Sequence, residues 1–138
     1  MNGGKAFLDT NVVAYLFSVD EPAKRQHSIN AINTYDCQIS TQVLNEFCNI
    51  CIRKWNFQTW DVYRAIDKIC ACSRLWVVGI ETIKHAIQLH ERYAYAYYDC
   101  LIISSALACN SQYLLTEDMS DGQKIESRLT ISNIYSKL

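Results

Sequence analysis

The stretch Lys5-Ala-Phe-Leu-Asp-Thr-Asn11 joins a short, mostly apolar run to an acid and two polar residues. A run of this length is typical of a buried β-strand, here residues 5–8. The polar residues behind it favour a helix start, so we expect a helix over residues 12–18. A strand that leads straight into a helix is the opening of a βαβ unit, the unit from which parallel sheets are built.

The rest of the chain repeats this alternation of short apolar runs and longer helical patterns. Strands are predicted at residues 5–8, 37–40, 75–78, 113–116 and 129–134, the third of them fully buried. Helices are predicted at residues 12–18, 22–34, 42–54, 59–72, 81–93, 98–109 and 121–127. This order predicts an α/β protein, a three-layer α/β/α fold with a mostly parallel sheet of about five strands.

The bulk composition is that of a globular chain. Its 138 residues suit a single domain, residues 1–138, with one core. Half of the residues are hydrophobic and a fifth are charged, which excludes a disordered chain. No apolar run is long enough to span a bilayer, and Met1-Asn-Gly-Gly-Lys5 is not a signal peptide. We therefore expect a cytoplasmic protein without membrane contact.

The seven cysteines are an odd number in a chain without an export signal, which favours reduced thiols. The pairs Cys48/Cys51 and Cys70/Cys72 have spacings found in zinc and redox motifs. Both pairs lie inside predicted helices, where cysteine behaves as a small apolar residue. Core packing is therefore the expected role of both pairs.

Four carboxylates stand beside apolar runs: Asp9, Glu46, Asp99 and Asp118. Burying an unpaired charge is costly, so acids in such places need a partner. No Lys or Arg lies within four residues of Glu46, Asp99 or Asp118. A divalent metal bound by converging carboxylates is the simplest explanation, and acidic metal sites of this kind carry out phosphodiester chemistry.

Each of these acids also has a purely structural interpretation. Asp9 could start the next helix, although the two residues after it can cap that helix equally well. Glu46 could be a solvated helix acid, and Asp99 could be the N-cap of its helix. Asp118 lies in a turn-like segment, where acids are common. Asp9 and Asp118 nevertheless both follow strands, at the sheet edge where α/β proteins place their sites.

Two aromatic stretches remain open to more than one interpretation. Residues 55–63 could stack on nucleic-acid bases, although core packing or a protein interface is the commoner role. The tyrosines between residues 93 and 98 are open to the same alternatives. The net charge of −1 is compatible with an RNA or DNA partner without indicating one.

The order of the motifs resembles that of the PIN-domain nucleases. The matching segments are Leu8-Asp-Thr-Asn11, an acid in the helix after the second strand, Tyr98-Asp-Cys-Leu-Ile-Ile103 and Leu115-Thr-Glu-Asp118. Asp20-Glu-Pro-Ala-Lys24 and the segment from Leu114 to Gln123 are similar to the VapC-type branch, the toxin ribonucleases of bacterial toxin–antitoxin pairs. The resemblance covers essentially the whole chain.

This resemblance implies a metal-dependent endoribonuclease that acts on single-stranded or looped RNA. It also implies a small VapB-like antitoxin that covers the site, and a homodimer. By position, the acids implied as catalytic and as ligands of one or two Mg²⁺ or Mn²⁺ ions are Asp9, Glu46, Asp99 and Asp118. Supporting roles are implied for Asn11, Thr116 and Asp121, the last at a position that is acidic only in some members.

The expected reaction is hydrolysis of RNA by a metal-activated water, with Arg53 and Lys54 as candidates for gripping backbone phosphates. A phosphatase of the haloacid-dehalogenase type is one alternative, since it also begins with a strand and an Asp. That chemistry requires a second Asp two residues on, where Asn11 stands. The other alternative is a non-catalytic PIN-like domain that binds RNA or an antitoxin, which the complete set of four acids disfavours.

Overall fold

The computed structural model describes residues 3–136, so residues 1, 2, 137 and 138 of the expected single domain lie outside it. Its strands are β1 (Lys5–Leu8), β2 (Asp36–Ser40), β3 (Arg74–Trp76), β4 (Tyr113–Thr116), β5 (Lys124–Ile125) and β6 (Leu129–Asn133). Its α-helices are α1 (Thr10–Tyr15), α2 (Pro22–Thr34), α3 (Thr41–Asn49), α4 (Thr59–Ala71), α5 (Ile80–Tyr93) and α6 (Tyr97–Ala108). Within this range no helix is long and apolar enough to cross a membrane.

The six strands form one sheet in the order β3-β2-β1-β4-β6-β5. Every neighbouring pair is parallel except β5 and β6, and helices flank the sheet, which confirms the predicted three-layer α/β/α fold. In the central pair, Leu8 of β1 lies beside Leu115 of β4. Because both strands run the same way, the residues that follow them meet at one edge of the sheet.

The core lies on both sides of β1 and is closed on one side by α6. Phe7, Ile39 and Leu114 are completely buried, and residues 100–107 of α6 are buried without a break. A helix that is apolar all round must be covered all round, and α6 packs against α5 as well as against strands. This packing fixes the position of the first turn of α6.

Strand β3 differs from its prediction. It lies at the edge of the sheet with β2 as its one neighbour, and Leu75 and Val77 are 46% and 67% exposed. The expectation of a fully buried strand at residues 75–78 was therefore wrong. An apolar run indicates that a segment favours a buried strand. Whether the strand is buried depends on how many strands lie beside it, which the rest of the chain determines.

Residues 121–127, predicted to be a short helix, form turns and the hairpin strand β5 instead. Gly122, Glu126 and Ser127 have φ angles of 84°, 50° and 59°. Positive φ angles at consecutive residues are incompatible with a right-handed helix. Ile125 is the one residue of this stretch that reaches the core, which is too little apolar surface to hold a helix in place.

The helix predicted over residues 42–54 changes character in its last part. Helix α3 ends at Asn49 and continues directly as a π-helical turn, Ile50–Lys54. The amide of Trp55 donates to the carbonyl oxygen of Ile50 at 3.1 Å, a bond across five residues instead of four. The wide turn is followed by aromatic packing on the core.

The aromatic stretch of residues 55–63 divides into two parts. The rings of Trp55 and Phe47 lie 6.2 Å apart, and those of Trp55 and Phe57 lie 5.5 Å apart, so this half belongs to the core. Trp60 and Tyr63 on α4 are 63% and 56% exposed. Core packing therefore explains only the first half of the stretch.

All seven cysteines are free. Cys37, Cys51 and Cys100 are buried, as expected of core residues, and Cys48 and Cys72 are half-buried. Cys70 is exposed on α4, so the expectation that it packs in the core was wrong. Cys70 lies on a helix, as its pattern predicts, but on the face of α4 that points to solvent.

Candidate functional site

Asp9 is fixed at the junction of β1 and α1. It is the N-cap of α1, where its Oδ1 accepts a hydrogen bond from the amide of Thr10 at 2.8 Å. The expectation that the two following residues would take over the capping was wrong. Its Oδ2 accepts a 2.8 Å hydrogen bond from the hydroxyl of Thr116, the last residue of β4. Both carboxylate oxygens of Asp9 are thus oriented before any ligand arrives.

Glu46 comes to the same place from α3. The N-cap of this helix is Ser40, whose hydroxyl oxygen accepts from the amide of Val43 at 3.3 Å. Glu46 is exposed, as a solvated helix acid would be, yet its Oε1 accepts a 2.7 Å hydrogen bond from the hydroxyl of Thr10. This role of Thr10 has no signal in the sequence, because nothing in the spacing connects two residues that lie 36 positions apart.

Asp99 lies in the first turn of α6 and is half-buried. The N-cap of α6 is Ala96, which makes no side-chain capping bond, so the interpretation of Asp99 as the N-cap was wrong. Burial, and then the negative charge of Asp118, raise the pKa of Asp99. The carboxylate of Asp99 therefore does not cap α6, which was the structural role suggested by the sequence.

Asp118 follows β4 and is exposed to solvent. Its Oδ2 accepts a 3.0 Å hydrogen bond from the side-chain amide of Asn11, and its backbone amide donates to the hydroxyl of Thr116 at 3.3 Å. Asn11 and Thr116, predicted as supporting residues, therefore each contact one or more of the four acids. Asp121 does not, because its Oδ1 accepts from the backbone amide of Asn133 at 2.8 Å and ties the loop to β6.

The four acids line one open cleft of about 340 Å³ at the carboxyl edge of the sheet. The structure thus brings together all four acids that the sequence singled out, from four separate segments of the chain. The other residues that line the cleft are Thr10, Asn11, Gln42, Asn49, Ile50, Tyr98 and Ile102. We call this recess the acidic cleft.

Negative charge in the acidic cleft lacks a counter-charge. The pKa of Asp9 is raised to about 6, chiefly by burial and also by the nearby charges of Glu46 and Asp99, while the hydrogen bonds from Thr116 and Thr10 oppose this rise. None of the ion pairs formed within residues 3–136 involves one of the four acids. Such a site favours a bound cation or a retained proton.

The neighbouring acid Glu117 shows the opposite behaviour. Lys24 forms an ion pair with it at 2.7 Å, and the hydroxyl of Tyr15 donates to it at 2.7 Å. Burial alone would raise the pKa of Glu117, but the hydrogen bonds from Lys24 and Tyr15 lower it. Glu117 therefore has a cationic partner, whereas the next residue, Asp118, has none among residues 3–136.

The acidic cleft offers the donor atoms that magnesium and manganese prefer, carboxylate oxygens without sulfur or histidine. In the described part of the chain, no three acidic, histidine or cysteine side chains form a ready-made metal-ligand cluster. Hydrogen bonds from Thr10, Asn11 and Thr116 hold three of the carboxylates. Magnesium keeps several waters and needs only one or two direct carboxylates, so the donor set fits such an ion without a closed cage.

A smaller recess of about 260 Å³ adjoins the acidic cleft and shares Asn11 and Ile50 with it. Lys54 lines this recess, at the end of the π-helical turn. Arg53, the other predicted phosphate-gripping residue, is exposed and lines neither the recess nor the cleft. Of these two residues, only Lys54 lines a recess next to the acidic cleft.

The family model described as "PIN domain" matches residues 6–120, which include all four acids. The chain belongs to the PIN domain family. No curated protein matches this PIN domain significantly. Its relationship to characterised proteins is therefore visible through the family model and through solved structures.

Three of the solved structures that share its fold come from bacteria. A toxin–antitoxin complex from Klebsiella pneumoniae has a TM-score of 0.71 at 17% identity, covering 94% of this PIN domain and 98% of that chain. VapBC2 from Rickettsia felis, bound to a DNA fragment from its promoter, has a TM-score of 0.66 at 17% identity, covering 94% and 99%. VapC20 from Mycobacterium tuberculosis, described as a sarcin–ricin-loop-cleaving toxin, has a TM-score of 0.65 at 16% identity, covering 79% and 86%. At these identities the likenesses establish the PIN fold.

Proposed function

We propose that this PIN domain is a metal-dependent endoribonuclease that hydrolyses phosphodiester bonds in RNA. The observation that carries the proposal is the acidic cleft, in which four carboxylates from separate segments converge without a basic partner. Within a PIN domain, that charge pattern is best explained by a cation that binds during the reaction. Membership of the family supports a nuclease rather than a phosphatase.

In this proposal Asp9, Asp99 and Asp118 hold one or two Mg²⁺ or Mn²⁺ ions, with Glu46 bound directly or through water. When bound, the ion supplies Lewis-acid chemistry, which lowers the pKa of a water and offsets the charge that develops on the phosphate. Neutral side chains around the cleft orient three of the four acids for metal binding. Lys54 contacts a phosphate of the RNA backbone beside the cleft.

The alignment depends on neutral side chains that donate to the acids. Thr116 orients Asp9, Asn11 orients Asp118, and Thr10 orients Glu46, each through one hydrogen bond. Partners of this kind fix which oxygen of a carboxylate faces the ion. Asp121 takes no part in this set, because its hydrogen bond to Asn133 holds the loop behind Asp118.

We also propose that the protein is the toxin of a VapBC-type pair, acting in the cytoplasm as a single domain over residues 1–138 and as a homodimer. The support is its likeness to structures that are described as toxin–antitoxin complexes. A small VapB-like antitoxin would bind it with a basic segment or an Arg side chain that reaches the acidic cleft. An anionic site without substrate is complementary to such a cation.

The decisive experiment incubates the purified chain with structured RNA in Mg²⁺, in Mn²⁺ and in EDTA. We expect cleavage with either metal and none in EDTA. Asp99→Asn should be inactive, whereas Asp67→Asn, which removes an exposed acid on α4, should cleave normally. Undiminished cleavage in EDTA would contradict the metal mechanism.

The same assay separates the two alternatives. Hydrolysis of para-nitrophenyl phosphate without cleavage of any RNA would indicate a phosphatase. Binding of RNA without cleavage in either metal would indicate a non-catalytic PIN domain.

A further inference from the structure

A largely apolar recess of about 380 Å³ opens beside the acidic cleft, where α3 and α6 begin. It is lined by Thr41, Gln42, Asn45, Glu46, Val78, Tyr98 and Leu101, and we call it the Tyr98 pocket. Gln42, Glu46 and Tyr98 line the acidic cleft as well. The two recesses therefore adjoin, so one extended ligand can reach from one into the other.

Tyr98 presents an aromatic ring that the fold does not use. It is 67% exposed and touches Tyr97 in an edge-on arrangement, with the ring centroids 5.4 Å apart. It immediately precedes Asp99, one of the four acids. Leu101, one turn further along α6 and only 7% exposed, gives the pocket an apolar lining. Exposed aromatic rings beside a phosphate site are the surfaces on which single-stranded bases stack.

Gln42 supplies an unused acceptor in the same pocket. Its side-chain amide donates to the carbonyl oxygen of Tyr98 at 3.1 Å, which ties α3 to the first turn of α6. Its Oε1 is buried and accepts no hydrogen bond from any of residues 3–136. A buried acceptor without a partner is unfavourable. A turn of the Gln42 side chain that brings Oε1 to the surface of the pocket would let an N–H donor of a ligand satisfy it.

The far side of the pocket is also fixed. The hydroxyl oxygen of Thr41 accepts from the backbone amide of Val78 at 3.2 Å, which joins the segment after β3 to the start of α3. The pocket therefore combines a free aromatic ring, an apolar lining and an orphan acceptor on anchored elements. Those are the features that an unpaired nucleobase needs, with its flat faces and its N–H groups at the Watson–Crick edge.

We propose that the Tyr98 pocket binds one unpaired base of the RNA strand, stacked on Tyr98 and hydrogen-bonded to Oε1 of Gln42. The phosphate next to that base then lies in the acidic cleft. This inference rests on the proposed ribonuclease function and defines its substrate as RNA with a splayed-out base beside the scissile bond. Bases inside a helix are stacked and paired, and they cannot enter such a pocket.

The first test uses cleavage kinetics on RNA that carries one abasic nucleotide, moved stepwise past the cleavage site. We expect one position at which the abasic nucleotide lowers kcat/KM on the order of tenfold, the size that base stacking gives. Tyr98→Ala should lower kcat/KM on intact RNA by a similar factor, and an abasic nucleotide at that position should lower it no further. Tyr98→Phe should respond to the abasic nucleotide as the wild type does. Equal sensitivity of Tyr98→Ala and wild type to the abasic position would overturn the proposal.

Tyr63→Ala is the matched control, because it removes a tyrosine of similar exposure from α4, outside the pocket. It should cleave both RNAs as the wild type does.

The second test does not depend on cleavage. Adenosine is titrated in EDTA while the side-chain amide resonances of Gln42 are followed by NMR. We expect these resonances to shift in the wild type and in Tyr63→Ala, and to stay in place in Tyr98→Ala. No shift up to the solubility limit of adenosine overturns the base pocket, whether or not the protein cleaves RNA. A shift without cleavage of any RNA supports the pocket and contradicts only the ribonuclease function.

Discussion

The hydroxyl of Thr116 donates a 2.8 Å hydrogen bond to Oδ2 of Asp9, across the seam between β4 and β1. The same hydroxyl oxygen accepts from the backbone amide of Asp118 at 3.3 Å. Thr116 is completely buried, so water cannot replace either bond. One buried hydroxyl thereby sets the position of two of the four acids.

Thr116→Val should therefore destabilise the protein. The change keeps the shape of the side chain but leaves the Asp9 carboxylate with one donor fewer, and a buried polar group without its partner costs about 1–3 kcal/mol. Urea unfolding at pH 7 in EDTA measures the loss, and Thr116→Ser, which keeps the hydroxyl, should lose much less. Equal stability of Thr116→Val and wild type would show that this hydrogen bond contributes nothing.

The stability of the metal-free protein should depend on pH through Asp9. Its pKa is about 6 in the folded protein against an ordinary 3.8, so the fold binds this proton more tightly than the unfolded chain does. The resulting stabilisation is complete below pH 4 and is lost as the pH rises through 6, by at most about 3 kcal/mol. Asp9→Asn, which can still cap α1, should remove this part of the decline.

Urea unfolding between pH 4 and pH 8 in EDTA measures that difference. The free energy of unfolding of Asp9→Asn minus that of the wild type should increase with pH over this range. A difference that stays constant would show that Asp9 titrates normally in the fold.

Asp99→Asn should abolish cleavage without harming the fold. Asp99 is not the cap of α6, and its pKa is raised by burial and by Asp118, so a neutral amide relieves repulsion. The melting temperature in EDTA should stay the same or rise, while the stabilisation by added Mn²⁺ should shrink, because a ligand stabilises a fold only as far as it binds. Near-normal cleavage with full Mn²⁺ stabilisation would exclude Asp99 as a ligand.

Thiol labelling should single out Cys70. It is exposed, whereas Cys37 and Cys51 are buried, and burial raises the pKa of their thiols to about 12 and about 11. Since the thiolate is the reactive form, native protein at pH 8 should label first at Cys70, and all seven cysteines should label in denaturant. Mass spectrometry identifies the sites, and Cys70→Ser should lack the fast phase. Labelling of Cys37 at the same rate would contradict this burial pattern.

Elements with complete local signals were predicted to the residue. The strands Lys5–Leu8 and Tyr113–Thr116 are short apolar runs closed by polar residues, and the structure has them at those bounds. The edge position of β3 depends on which strands lie beside it. The hairpin at residues 121–127 depends on backbone angles. Neither feature can be predicted from the local sequence, because tertiary packing overrides the intrinsic propensity of both segments.

The acids of the cleft could be found from the sequence because each one interrupts or follows an apolar segment. Their surroundings could not, because the bonds from Thr10 to Glu46 and from Asn11 to Asp118 join residues 36 and 107 positions apart. The sequence allowed a capping role for both Asp9 and Asp99, but only Asp9 caps its helix. Capping is decided by backbone angles at one residue, and several neighbours carry side chains suited to it.

The π-helical turn Ile50–Lys54 is equivalent to one residue inserted into an α-helix. An α-helical turn spans one residue fewer than this wide turn, so deleting one residue here would give an ordinary helical turn and leave Trp55 close to Phe47. Glu46 lies upstream of the turn and would keep its bond to Thr10. The wide turn thus accommodates one additional residue of chain after α3, while the carboxylate of Glu46 before it keeps its position.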